Sequence, residues 1–126
     1  MKFIVVDDEE VIRDSLCGFL AMKEHSCRVA SNGKEALKLI DNEMVDVAIL
    51  DINMPYMNGI ELLKIIRSKY PEIKVILLSA YTNEENAMNA ENLGVYAFLS
   101  KALDMFKLVK IINRLEQEQP GLKIFG

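Results

Sequence analysis

The stretch Val45-Asp46-Val47-Ala48-Ile49-Leu50-Asp51-Ile52-Asn53-Met54-Pro55-Tyr56-Met57-Asn58-Gly59 decides the fold. Residues 45–50 form a short run that is apolar but for Asp46 and rich in Val, Ile and Leu. A strand of a parallel sheet covered on both faces has that composition. The run stops at a carboxylate, Asp51. After Asn58-Gly59, apolar residues return at helical spacing as Ile60, Leu63 and Ile66. A buried strand leading into an amphipathic helix is the unit of an α/β fold.

The same unit repeats on either side. Residues 3–6 and 75–78 are further apolar runs, and 28–30 and 96–99 are weaker strand candidates. Helical stripes alternate with them. They are Ile12, Leu16, Phe19 and Leu20, then Ala36, Leu37 and Ile40 after Ser31-Asn32-Gly33, and Ala87, Met88, Ala90 and Leu93 before Gly94. The last is Met105, Leu108, Val109, Ile112 and Leu115, ended by Pro120-Gly121. These stripes are core positions and imply no cofactor. Five βα units predict a doubly wound (βα)5 domain with a five-stranded parallel sheet and right-handed crossovers. One domain is expected over residues 1–119, with 120–126 as a C-terminal tail or the start of a linker.

The bulk numbers agree. A chain of 126 residues with 51% hydrophobic and 27% charged residues suits one globular core. No apolar run approaches the ~20 residues of a membrane helix, and the short apolar start ends in acids, unlike a signal peptide. A cytoplasmic location is expected, with no membrane partner. The net charge of −4 argues against direct nucleic-acid binding. Cys17 and Cys27, without a second pair or a His cluster, make no zinc site. They read as two small buried or half-buried residues in a reducing compartment. His25, the only histidine, reads as an exposed turn residue, and Lys107, Lys110 and Arg114 as a solvent-facing stripe.

Against apolar strands, the polar residues that close them stand out: Asp7-Asp8, Asp51, Ser79 and, after the fifth strand, Ser100-Lys101. Ligands of open α/β sheets bind at the carboxyl ends of the strands, where the strand order switches. If strands 1 and 3 are neighbours, three carboxylates meet there. They repel unless a cation lies among them. Mg²⁺, a hard ion taking carboxylates, waters and phosphate oxygens, is the natural one. Lys101 then offers a point charge and Ser79 a hydroxyl donor. The set is that of phosphoryl transfer to a carboxylate nucleophile. Taken singly, each residue has a plainer reading: Asp7-Asp8-Glu9-Glu10 as acids at a helix N-terminus, a strand-end Asp as a turn residue. It is their arrangement at four strand ends that is specific.

On Val5-Val6-Asp7-Asp8-Glu9, the string from Leu50 through Asp51-Ile52-Asn53-Met54-Pro55-Tyr56-Met57-Asn58 to Gly59, Leu78-Ser79-Ala80-Tyr81, and Gly94-Val95-Tyr96-Ala97-Phe98-Leu99-Ser100-Lys101, the chain resembles the receiver domain of two-component response regulators. The resemblance covers about residues 2–117. It implies the flavodoxin-like strand order 2-1-3-4-5. It implies that Asp51 is the phosphoacceptor, modified to 4-aspartylphosphate. Asp8 would ligate Mg²⁺ directly, Asp7 through water, and the Asn53 carbonyl would join Asp51 as a further ligand. Lys101 would pair with the phosphoryl group, Ser79 would swing toward it, and Phe98 would be the aromatic rotor behind it. The implied donor is a sensor histidine kinase or phosphotransfer protein, docking around Val11, Asp14, Ser15 and residues 102–105. The implied output is the surface of the fourth helix, fifth strand and fifth helix, where a homodimer is one option. The domain would act as a switch that catalyses only its own phosphorylation and dephosphorylation, rather than as an enzyme.

Two positions depart from the pattern. Ala102 follows Lys101 where the family usually has a cis proline. A non-proline cis bond costs ~2.5–4 kcal/mol, so the bond is expected either trans with a shifted loop or cis and held by its surroundings. Tyr81 stands near the approach of hydrolytic water, either slowing loss of the phosphoryl group or lying idle in a loop. Two alternatives remain in view: a degenerate receiver that only binds partners, and an aspartate-nucleophile phosphatase of the haloacid dehalogenase type. The latter resembles Asp-x-Asp-x-Thr, whereas Asn53 and Pro55 stand here.

Overall fold

The central strands alternate their side chains between two cores, and that alternation places the helices. In the computed structural model, which describes residues 1–80, 92–101 and 105–118, the elements are β1 (Lys2–Val6), α1 (Glu10–Met22), β2 (Ser26–Ala30), α2 (Gly33–Asn42), β3 (Val47–Asp51), α3 (Gly59–Lys69), β4 (Lys74–Ser79), β5 (Ala97–Ser100) and α4 (Met105–Gln117). The five strands pair in parallel in the order β2-β1-β3-β4-β5. This is the flavodoxin-like order expected.

Ile4, Val6, Ala48, Leu50, Val75 and Leu77 face one side and pack with Ala36 and Ile40 of α2 and Leu62, Leu63 and Ile66 of α3. Their neighbours Phe3, Val5, Val47, Ile49, Ile76 and Leu78 face the other side. There they meet Leu16 and Leu20 of α1 and Leu108, Ile112 and Leu115 of α4. Burying each such side chain contributes roughly 1.5–3 kcal/mol. The edge strand β2 is largely exposed, with only Ala30 fully buried.

Local chemistry sets the helix starts. Asn32 Oδ1 accepts from Glu35 N–H at 2.8 Å, and Asn58 Oδ1 from Glu61 N–H at 2.9 Å, capping α2 and α3. Gly94, at φ +72°, has the left-handed backbone expected of a helix stop. β3 begins two residues later than the apolar run suggests, because Asp46 turns its carboxylate to accept from Lys2 N–H at 2.8 Å. Val45 is buried all the same. The strand then runs on through Asp51, which pairs with Leu78.

Two expectations are corrected. Cys17 of α1 and Cys27 of β2 are not separate thiols but a disulfide, with Cα atoms 5.5 Å apart, because α1 lies against the edge strand. His25 is not exposed: its side chain is 8% accessible. Its ring tilts against Phe3, and its nitrogens meet the Met1 ammonium and Glu116 Oε1, both at 2.9 Å. The end of α4 covers a turn that looks open in sequence. Lys107, Lys110 and Arg114 are exposed as expected. Residues 87–91 of the predicted fourth helix, Tyr81, Ala102 with its bond to Lys101, and the tail from residue 119 lie outside the described residues.

Candidate functional site

Asp51 is the last residue of β3 and Asp7 follows β1, its neighbour in the sheet, so the strand order itself brings the two together. Both are fully buried, as is Ser79 at the end of β4. Asp7, Asp8 and Asp51 each offer an oxygen within 4.8 Å of the others, the only such acidic or metal-ligating group among the described residues. Lys101, next after β5, reaches across: its Nζ lies 2.9 Å from Asp51 Oδ2, 3.2 Å from Asp7 Oδ1 and 2.5 Å from Glu9 Oε1. Its own N–H donates to the Ser79 carbonyl at 2.7 Å, which ties the lysine to the β4 end.

Backbone groups orient the acids. Asn53 N–H donates to Asp51 Oδ1 at 3.0 Å, and Glu9 N–H to Asp7 Oδ1 at 2.8 Å. The Asn53 amide oxygen accepts from Ala80 N–H at 3.4 Å, joining the β3 and β4 loops. Gly59 has a sharper role. A Cβ there would collide with the Asp51 carbonyl and lie 2.8 Å from Ile52 Cα. Only glycine lets α3 start this close beneath the acid. Tyr56, wholly exposed at φ +71°, carries the left-handed turn of the same loop.

The charges do not balance. Burial pushes the Asp51 carboxyl up to about 6, and the Asp7 charge adds to this, against the opposing pull of Lys101 and the Asn53 N–H. Burial also raises Asp7, although Glu9 N–H and Lys101 counter it. Burial acts to lower Lys101, but its hydrogen bonds to Glu9 and Asp51 outweigh this and hold it above the ordinary lysine value. One ammonium thus serves three carboxylates. Asp7 Oδ2 is buried with no hydrogen-bond partner among the described residues. An orphaned acceptor within an all-oxygen cluster fits a hard divalent cation.

Of the residues picked from sequence, Asp7, Asp8, Asp51 and Lys101 thus meet at one spot, beside which the Asn53 N–H holds Asp51 and the buried Ser79 gives its carbonyl to the Lys101 N–H. Phe98 is not among them. It is half-buried, packed with Leu93 and Val95 against the core on the α2 and α3 side. Glu9 and Arg13 were missed. Glu9 reads as one more acid of a run, but it grips Lys101 across 92 positions of chain. Arg13 Nη1 donates to the Asp7 carbonyl at 2.8 Å, one turn into α1.

Comparison with known proteins follows this geometry. A family model described as response regulator receiver domain matches residues 3–113. The DNA-binding transcriptional regulator NtrC of Proteus hauseri is 36% identical over 122 residues, covering 93% of this chain and 26% of the relative. The chain therefore spans about a quarter of the length of the curated relatives it matches. A CheY-like receiver domain protein from Methanospirillum hungatei superposes with a TM-score of 0.87 at 30% identity, covering 94% of each chain. Response regulator TrrA of Thermotoga maritima, solved in complex with Mg²⁺-BeF, gives a TM-score of 0.81 at 32% identity, over 90% of this chain and 97% of that one.

Proposed function

The chain belongs to the response regulator receiver family, and from that premise we propose that Asp51 is the residue on which it accepts the phosphoryl group, in a reaction that uses Mg²⁺. The observation that carries this is the Asp51 carboxylate itself: fully buried at a strand end, 2.9 Å from Lys101 and clustered with Asp7 and Asp8. A buried acid held by one lysine is a nucleophile kept in place rather than a surface turn residue.

The donor is a phosphohistidine on a sensor kinase or phosphotransfer protein. An Asp51 oxygen attacks phosphorus, the P–N bond breaks, and its electron pair returns to the imidazole. Lys101 is placed to pair with the incoming phosphoryl oxygens as it now pairs with Asp51. Asp7, Asp8, Asp51 and the Asn53 carbonyl would hold the ion. Mg²⁺ bound there supplies positive charge to offset the acids and the transferring group. Support for that ion comes from the Mg²⁺-BeF complex of the Thermotoga relative. Ser79 and Phe98 form the switch: a hydroxyl that turns to the phosphoryl group and a half-buried ring that fills the space behind it. The domain catalyses only this transfer to itself and the later hydrolysis of the Asp51 acyl phosphate, in which water takes the phosphoryl group and the carboxylate is restored. Residues 1–119 are the receiver unit, working in the cytoplasm, with 120–126 as tail or linker and the last two helices as the homodimer option.

Incubation with acetyl phosphate and Mg²⁺ tests the reading by mass spectrometry. One phosphoryl group should appear on the wild-type chain and none on Asp51→Asn. Continuous turnover of the donor would point instead to a phosphatase, and no label at all to a receiver that only binds partners.

A further inference from the structure

The Cys17–Cys27 pair lies away from the acidic site and plays no part in phosphoryl transfer. Cys17 sits mid-way along α1, and Cys27 is the second residue of β2, paired with Phe3 toward the amino end of the sheet. Both are half-buried and pack on the α1 and α4 side core. Their Cα atoms are 5.5 Å apart, within the commonest range for bonded cysteines. The bonded pair therefore fits the packing of the helix on the edge strand. Both residues are partly exposed rather than fully buried, the setting in which a small thiol or disulfide can reach a cysteine sulfur. In a reducing compartment a disulfide so placed is redox-sensing more often than permanent.

We propose that Cys17 and Cys27 are a thiol–disulfide exchange site, closed by a small-molecule disulfide such as oxidised glutathione and reopened by the corresponding thiol, which clamps α1 to the edge strand when oxidised. In the closing reaction one cysteine thiolate attacks oxidised glutathione and expels a glutathione thiolate, giving a mixed disulfide. The second cysteine attacks the protein-side sulfur and expels the second glutathione. The two cysteines lose two electrons, glutathione disulfide gains them, and the two thiol protons end on the two released glutathiones. The clamp acts on α1, whose N-terminal flank carries Glu9 on Lys101 and whose Arg13 holds the Asp7 carbonyl. The inference does not depend on the phosphoacceptor reading.

The full chain, equilibrated in buffers of varied reduced and oxidised glutathione, is alkylated and weighed, and its melting and amide exchange are followed in parallel. The expected result is reversible interconversion of free dithiol and internal disulfide at millimolar glutathione. The melting temperature of the oxidised form should be higher by on the order of 10 °C, and the α1 amides should exchange ~10-fold or more slowly. Neither Cys17→Ser nor Cys27→Ser should show a redox-dependent shift; Cys27 on the exposed edge strand is the variant least prone to misfold. A disulfide that millimolar reduced glutathione leaves intact would overturn the proposal. So would stable single glutathione adducts without an internal bond, or equal melting of the two forms. Phosphorylation of Asp51 is not read in any arm, so failure here leaves that reading untouched.

Discussion

The two ends of the sheet treat polar groups in opposite ways. At the amino end His25 lies between the Met1 ammonium and Glu116, Asp46 accepts from Lys2 N–H, and Arg67 donates from Nη1 and Nη2 to the Pro71 and Ile73 carbonyls, though its buried Nε has no partner among the described residues. At the carboxyl end Asp7, Glu9 and Asp51 crowd one lysine and an Asp7 oxygen has no hydrogen-bond partner among the described residues. The first arrangement holds strands and helix together. The second holds free energy in reserve for something the site has yet to bind. Substitutions that move charge should therefore act strongly, and through Mg²⁺, only at the carboxyl end.

The largest effect should come from Lys101→Met. Without the ammonium, Asp7 and Asp51 are buried acids with no cation. At pH 7.5 in EDTA the variant should lose ~3–5 kcal/mol of stability in urea melts, and saturating Mg²⁺ should restore most of it. Equal losses with and without Mg²⁺ would break the contrast between the two ends. Its phosphorylation by acetyl phosphate should slow by ~10²-fold or more.

A second effect concerns pH in the metal-free protein. The Asp51 pKa is near 6 when folded, above the ordinary 3.8. A folded state that holds its proton more tightly is favoured at low pH and loses that advantage as pH rises through the folded value. Two units correspond to about 3 kcal/mol. Stability in EDTA should thus fall between about pH 4 and pH 7, and Asp51→Asn should flatten the fall. Mg²⁺ should raise the melting temperature at pH 7.5 far more than at pH 5; equal rises would show that the ion binds elsewhere.

Gly59→Ala comes next, at a cost of ~1–3 kcal/mol. The added carbon meets backbone at Asp51 and Ile52, which cannot swing away as a side chain can. Because that backbone carries the nucleophile, the loss should be accompanied by slower labelling with acetyl phosphate. An unchanged labelling rate would mean that α3 simply shifts outward.

What the sequence displayed of all this depends on how local the signal is. β1, β3 and β4 are covered on both faces, so between the end residues Lys2, Asp51, Lys74 and Ser79 their side chains are apolar and the runs are plain. β2 keeps Arg28 and Val29 in solvent and reads weakly for that reason. Asp7, Asp8, Asp51, Ser79 and Lys101 were legible because each closes an apolar run and the parallel topology gathers such residues at one edge. Glu9 on Lys101, Cys17 on Cys27 and Glu116 on His25 were not. Each pairing is decided by how a helix lies on the sheet, and no periodicity in the chain encodes the partner.

Glu116→Gln should give the smallest effect and is the control for the comparison. Glu116 Oε1 is 2.9 Å from His25 Nε2 and 3.8 Å from Lys23 Nζ, and its side chain is 33% accessible. Water and salt screen a pair of that exposure, so the variant should cost about 1 kcal/mol or less, and less again in high salt. The Gln amide oxygen can still accept from the ring, so the geometry of the turn should persist. The apparent Mg²⁺ affinity and the rate of labelling by acetyl phosphate should match the wild type, since Glu116 pairs with His25 and Lys23 rather than with Lys101 or the acids around it. A loss near 3 kcal/mol, or a weakened response to Mg²⁺, would mean that the amino end also holds an unbalanced charge and that the two ends of the sheet are not built on different terms.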